Sequence, residues 1–475
     1  MNRAVFLIPV LLGNALLGGE IHTFTSNDGK TLQAEFLGLR DSKVSLKLKA
    51  GNIVDIPISR LAEPDQAYVK EQAAEGGKLA EQINKAAGHP IADATPLAER
   101  DAAVFADRLG LRLESDTKFG KSWRLYASFV KDYKLFGAIP YSIALYSDED
   151  GKVRHASVVF ANKGDFGSAA GFGEEHFKQG EETGAGSLAE AMIKDDETVS
   201  AALTKVLGAP KEQRFGDSGT RRTIERWDWN GHSFLLSHVE GEYVGLAIMP
   251  TADAEAGGRS ERRSDAEVKA RLQSGIVRKD NGDVYLGEIP MVDQGPKGYC
   301  VPATFERAMR AMGIDADMYL LAMVGQSSAG GGTVVELLLE NVKSQVYRKG
   351  RRTKEEEFKQ LKLKDVKRYI DQGTPVMWRM HSVDGFNKLA NELTEQREAV
   401  KDWTAYAADL AAKSATLISQ PKPEENGHLC LIIGYNETTN ELAVSDSWGR
   451  NYALRWVPVA VADWVSREKI FLILP

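Results

Sequence analysis

Alternation of apolar and polar residues dominates the first part of the chain. Leu32-Gln-Ala-Glu-Phe36 alternates residue by residue, Val44-Ser-Leu-Lys-Leu-Lys49 has one charged face, and Ile53 to Ile58 is a further run. A period of two is that of a half-buried strand. Asn27-Asp28-Gly29, Asp41-Ser-Lys43 and Ala50-Gly51-Asn52 separate these runs as tight turns. With His22-Thr-Phe24 ahead and a helix beginning around Ser59 to Tyr68, residues 20–72 read as a small all-β, SH3-like barrel with a closing helix. Residues 73–95, rich in Ala, Glu, Lys and Gly, read as a short helix plus linker.

From 96 to 250 the pattern mixes both periods. Strand-like runs are Tyr141 to Tyr146, Ala156 to Phe160, Ile224 to Trp229, Phe234 to Leu236 and Tyr243 to Ile248, and a helical stretch from Leu188 to Leu207 stops at Gly208. This predicts an α+β domain with a mostly antiparallel sheet. Its tryptophans and tyrosines alternate with charges, as in a half-buried sheet. Residues 251–280 read as a second linker on their Ala, Gly, Arg, Ser and Glu content.

Residues 281–475 read as a final α+β domain. Phe305, Ala308, Met309 and Met312 fall at helical spacing behind Pro302, and Gly313 is a natural stop. His428 opens the apolar run Leu429 to Tyr435, a buried strand. Asn436 to Asn440 is a turn and Glu441 to Asp446 the returning strand. Folding that hairpin puts Asp446 opposite His428 or within about two positions of it. Gly330 to Gly332 lead into Thr333 and Glu336, the spacing of a capping box, and predict a glycine loop bordering a cleft. Residues 382–426 carry Leu389, Leu393, Val400, Trp403, Tyr406 and Leu410 at roughly helical spacing. Just ahead of His428, they predict a helical flap over that cleft.

These elements bring together four residues that carry chemistry. Cys300 begins the Phe305–Met312 helix, where the helix dipole favours a thiolate. Gln294 lies six positions earlier, with Gly295, Pro296 and Gly298 allowing a tight loop between them. Its amide, with the backbone N–H of Cys300, would make an oxyanion hole. Asp446 accepts from one ring nitrogen of His428, leaving the other to act on the thiol. Trp448 is placed to cover that hydrogen bond.

The runs Gln294-Gly-Pro-Lys-Gly-Tyr-Cys300, Gly427-His428 and Asp446-Ser447-Trp448-Gly449 resemble the papain-like superfamily, and most closely the bacteriocin-processing (double-glycine) cysteine peptidases in their transporter-free form. The resemblance implies a papain-like fold and a Cys-His-Asp triad acting on peptide or protein substrates. Cys300 would be the nucleophile, His428 the general base and acid, Asp446 the residue that orients it, and Gln294 the oxyanion donor. Asp446 stands where papain has asparagine, as in the bacteriocin-processing branch, and the double-cysteine run of papain itself is absent. Residues 20–72 resemble the SLA-one homology domain of endocytic adaptors, which implies a protein partner bound through the barrel; Phe24 stands where that family usually has tryptophan. The same triad serves acyl transfer or amidase chemistry, and a non-catalytic protein acting through the barrel is a third class.

Composition narrows these further. The 475 residues suggest roughly three domains. A net charge of −7 argues against nucleic acid as partner. Asp28-Gly29-Lys30-Thr31 is no phosphate loop, because Phe24 stands where its first glycine belongs, and Glu174-Glu175-His176 lacks the second histidine of a zinc motif. The hydrolysis requires no metal or nucleotide cofactor. Arg3 followed by the apolar run Ala4 to Gly18 reads as a signal peptide over 1–19, too short to span a bilayer, and predicts export to the periplasm or beyond. The chain has two cysteines, and export raises a Cys300–Cys430 disulfide as an alternative. A free Cys300 and an inert, buried Cys430 fit the apolar strand around Cys430 better.

Overall fold

Three antiparallel sheets organise the described residues of this computed structural model. Those residues are 21–475 apart from 51, 128–129, 166–186, 218, 259–261, 296 and 329–331. The signal peptide expected over 1–19, Glu174 to His176, Pro296, Gly330 and Gly331 lie outside them.

The first sheet is a meander of β1 (Ile21–Thr25), β2 (Thr31–Arg40), β3 (Lys43–Leu48) and β4 (Ile53–Pro57). Phe24, Ala34, Val44, Leu46, Leu61 and Val69 form its core. Gly29, with φ 79°, makes the β1–β2 turn. A single helix, Glu63–Ala87, then runs straight through the expected linker, Gly76 and Gly77 included. Its first turns close the small sheet through Tyr68 and Val69, whereas Ala80, Ile83 and Ala87 belong to the core of the next domain. Burial at both ends outweighs the roughly 1 kcal/mol that each mid-helix glycine costs.

The middle domain contains β5 (Arg112–Thr117), β6 (Gly120–Tyr126), β7 (Ser142–Ser147), β8 (Val153–Asn162), β9 (Lys211–Phe215), β10 (Arg222–Trp229), β11 (His232–Val239) and β12 (Tyr243–Pro250). They pair in the order β5-β6-β7-β8-β12-β11-β10-β9, antiparallel throughout. The helix Leu188–Leu207 ends before Gly208 as its sequence predicts and buries Met192, Val199 and Leu203 in the domain core.

The third sheet contains β13 (Ile276–Arg278), β14 (Asp283–Leu286), β15 (Arg352–Glu357), β16 (Val376–His381), β17 (Gly427–Asn436), β18 (Glu441–Ser445), β19 (Arg455–Pro458) and β20 (Ser466–Leu474). β17 is buried from His428 onward and pairs with β14, β16 and β18. Three local expectations change here. Residues 251–280 are no linker: a helix at Asp265–Ser274, with a Ser264–Glu267 capping box, buries Val268 and Leu272 in the last core, and β13 joins the sheet. Thr333 caps nothing. The helix Val335–Arg348 starts behind Val334, Thr333 bonds Ser327 at 2.6 Å, and Glu336 is drawn to Arg379 at 2.7 Å. The segment 382–426 forms two helices, Asp384–Arg397 and Trp403–Ile418, which are core and not a flap. Phe386, Leu389, Ala390, Leu393, Tyr406 and Leu410 lie in the main hydrophobic cluster.

Arg397 pins this segment to the sheet by pairing with Asp283 of β14 and, at 2.6 Å, with Glu441 of β18, all three side chains being buried. Removing one side of a buried ion pair leaves charge uncompensated. Arg397→Ala should therefore lower stability by about 3–5 kcal/mol, read as a lower urea midpoint by tryptophan fluorescence. A midpoint equal to that of the parent would show the two helices to be a detachable flap after all.

Candidate active site

The helix that carries Cys300 begins at Cys300 itself and runs to Ala311, with Tyr299 ahead of it making no side-chain cap. Val301, Phe305, Ala308, Met309 and Met312 pack into the main core, as their spacing requires. The sulfur is half-buried at the start of the helix, and the backbone N–H groups of Leu429 and Val301 favour its thiolate. Thr304, one turn on, donates to the carbonyl of Leu429 at 2.9 Å and so ties this helix to β17 beside His428.

His428 stands near the start of β17. Leu431 pairs with Ser445 of β18, which places Asp446 across from Cys430, two positions from the histidine. The hairpin geometry delivers the contact that its turn predicts: His428 Nε2 lies 2.7 Å from Asp446 Oδ1. The other ring nitrogen is left to Cys300, with which the imidazole is also hydrogen-bonded. Trp448 packs on the ring at 4.9 Å between centroids and shields it.

The electrostatics follow from these partners. Burial alone would lower the His428 pKa, but hydrogen bonds to Asp446 and Cys300, and their charges, raise it to about 10. Burial alone would raise the Cys300 thiol, but the hydrogen bond and positive charge of His428, with backbone N–H groups, hold it below its ordinary value of 9.0. Asp446, despite being buried, is held below its ordinary 3.8 by His428 and Arg455. Both shifts favour the thiolate–imidazolium form of the pair, the one suited to nucleophilic attack.

Gln294 is buried and held at both ends of its side chain. Its Nε2 donates to the carbonyl of Lys297 at 2.9 Å, and its Oε1 accepts from Ser447 Oγ at 2.7 Å. Its backbone N–H donates to the Ser447 carbonyl at 2.8 Å, so the glutamine adjoins the Asp446-Ser447-Trp448 turn. Gly332 also reaches this corner, its N–H donating to the carbonyl of Gly298 at 3.3 Å.

All four residues singled out in the sequence thus meet one turn or one another. Sequence reasoning missed Arg455. Its guanidinium pairs with the second oxygen of Asp446 and is held in turn by Asn387 at 3.2 Å and Asn391 at 3.1 Å, both on the Asp384–Arg397 helix. An arginine inside the apolar run Leu454 to Val457 was the available signal, since a buried guanidinium requires a carboxylate. Ser447 and Arg307 were missed too; Arg307 binds Ser445 and holds the strand just ahead of Asp446. Both cysteines are free, and Cys430 is fully buried with its Sγ 3.7 Å from Met380 Sδ. Among the described residues no cluster could hold a metal ion, and no helix is long and apolar enough to cross a membrane.

The directions of these shifts fix a pH dependence. The rate of Cys300 alkylation by iodoacetamide should rise with a midpoint below pH 9.0. In His428→Ala the midpoint should move up, because only the backbone N–H groups are then left to oppose burial. Mass spectrometry of the labelled peptide across pH reads both, and an unchanged midpoint would mean that the imidazole does not govern the thiol.

No curated protein matches the chain. Residues 26–76 match the family model for SLA1 homology domain 1 (SHD1), which covers β2 to β4 of the first sheet and the opening of the long helix. Residues 286–466 match that of the Peptidase_C39 like family, so the region holding Cys300, His428 and Asp446 is, at the level of the family, of the cysteine-peptidase type.

Proposed function

We propose that the protein is a cysteine hydrolase that cleaves peptide bonds through Cys300, His428 and Asp446. The observation that carries this reading is the buried hydrogen-bonded chain from the helix-start thiol through the imidazole to a carboxylate. In the reaction the Cys300 thiolate attacks the amide carbonyl, forming an S–C bond while the C=O π pair moves to oxygen. The second N–H of the Gln294 amide and the Cys300 backbone N–H stabilise that oxyanion. Its collapse breaks the C–N bond, and the His428 imidazolium gives its proton to the departing amine. Water, deprotonated by the now neutral imidazole, then hydrolyses the thioester. Asp446 keeps the ring oriented throughout and stabilises its charged form. The N-terminal leader-like sequence supports export, which places the substrates outside the cytoplasm. The SHD1 match supports a protein partner or substrate segment held by the small N-terminal domain.

An epoxide-type thiol-protease inhibitor should form one covalent adduct at Cys300, and Cys300→Ala should abolish both the adduct and peptide hydrolysis. Asp446→Asn should retain the fold but lose about 10²–10⁴ in kcat, the scale of general acid–base assistance. An adduct at Cys430, or hydrolysis that survives Cys300→Ala, would refute the assignment. An amine acceptor that competes with water for the thioester would show acyl transfer instead.

A further inference from the structure

Lys297 lies between Gln294 and Cys300 in a turn, yet its side chain is 0% exposed. It points away from the catalytic domain's own core and into the middle domain. Its ammonium sits 3.0 Å from Asp165 Oδ1 and over the rings of Tyr126 at 4.7 Å, Tyr319 at 5.0 Å and Tyr299 at 5.6 Å. Asp165, itself 2% exposed, follows β8, and Tyr126 ends β6, so both belong to the middle domain. Burying an ammonium costs several kcal/mol unless it is paired, and a carboxylate with three ring faces is such a pairing. The lysine therefore cannot leave this cage cheaply.

The same residue's main chain serves the catalytic corner. The carbonyl of Lys297 accepts from Gln294 Nε2 at 2.9 Å and from the backbone N–H of Tyr299, the residue before Cys300, at 2.8 Å. The rest of the loop is bound by the middle domain as well. Tyr126 OH donates to the carbonyl of Asp293 at 2.5 Å, Glu114 Oε1 accepts from Asp293 N at 2.7 Å, and Ser115 Oγ accepts from Met291 N at 3.0 Å. Two glycines make room for this contact reciprocally. A Cβ at Gly295 would lie 2.8 Å from the Tyr126 ring, and one at Gly164 would lie 2.3 Å from the Tyr299 ring. Loop and middle domain are shaped to each other at the step just before the nucleophile.

We propose that the middle domain is the positioning element of the oxyanion loop: Asp165 and Tyr126 lock Lys297 and Asp293, and the Lys297 carbonyl thereby fixes the Gln294 amide where the tetrahedral oxygen forms. This rests on the hydrolase reading above, and the test separates the two. Iodoacetamide alkylates the Cys300 thiolate by displacing iodide and develops no oxyanion. The peptide aldehyde leupeptin forms a hemithioacetal with the same sulfur, and its oxygen takes up the oxyanion position. Tyr126→Phe, which removes one hydroxyl and keeps the ring, and Asp165→Asn should each weaken leupeptin binding tenfold or more in the full chain. Cys300 alkylation should stay within twofold of the parent at each pH. Should Asp165→Asn fail to fold, Tyr126→Phe carries the comparison alone. Leupeptin affinity unchanged in Tyr126→Phe, or alkylation falling in step with it, overturns the positioning role. So does a parent protein that is alkylated readily but takes no aldehyde, since it has no oxyanion site to position. A parent Cys300 that reacts no faster than an ordinary thiol sinks the hydrolase reading itself.

Discussion

A carboxylate with almost no access to water is the constraint around which the candidate site is organised. Asp446 is 1% exposed, and a charge so placed is tolerated only where it is paired and hydrogen-bonded. One oxygen takes His428 and the other Arg455, so each partner compensates the other's demand on the carboxylate. The pair also sets a pH window for stability. Asp446, with its folded pKa lowered, contributes fully above the ordinary 3.8 and loses that contribution as pH falls through the folded value. His428, raised to about 10, contributes fully below 6.5 and loses its share as pH rises toward 10. Both are complete between 3.8 and 6.5. The histidine is therefore held charged by an interaction that also holds the fold.

The Cys300–Ala311 helix extends the same logic to the domain boundary. Its apolar face meets the catalytic core, but Glu306 and Arg307 are buried too. Arg307 is satisfied within the domain by Pro290 and Ser445. Glu306 faces the middle domain, from which Tyr146 OH donates to it at 3.1 Å, while Met318 N of its own domain donates at 2.8 Å. Burial raises its pKa to about 7, with Asp317 and Glu114 adding to that push and Arg310 and Arg124 opposing it. Arg124 is itself paired with Glu114 at 2.5 Å. A layer of mutually satisfied polar groups thus lies along the helix that Cys300 begins, shared by two domains, and neither domain alone would satisfy it.

Local signals in the sequence were strong where one element decides the outcome. The Leu188–Leu207 helix, the strand at His428 and the return to Asp446 are each fixed by periodicity and a turn or glycine stop, and the structure has them where the pattern puts them. Readings failed where tertiary burial decides. Gly76 and Gly77 mark a break by propensity, but the helix around them is anchored at both ends by two different cores. Glu336 has capping-box spacing, but Arg379 on a neighbouring strand competes for it. The helices of 382–426 resemble a surface insertion because their polar faces are long. What makes them core is Arg397, whose partners Asp283 and Glu441 are distant in sequence. Arg455 escaped notice for the same reason: a pairing partner is a property of the folded chain.

The two cysteines lie 130 residues apart in the chain (430 − 300), yet the fold brings both near His428 and treats them differently. Both belong to or pack against the same hydrophobic cluster, and Cys430 is only two residues from His428. In a strand that separation returns the side chain to the same face, but Cys430 has neither a helix start nor an imidazole beside it. Burial and the Asp446 charge push its thiol up, whereas His428 brings Cys300 down. Thiol–disulfide exchange requires a thiolate on the attacking side and access to the sulfur under attack. Cys430 meets neither condition, packed against Met380 and fully enclosed. Burial of the second thiol thus disfavours an internal disulfide, and of the two sulfurs that of Cys300 is the one placed to meet an electrophile.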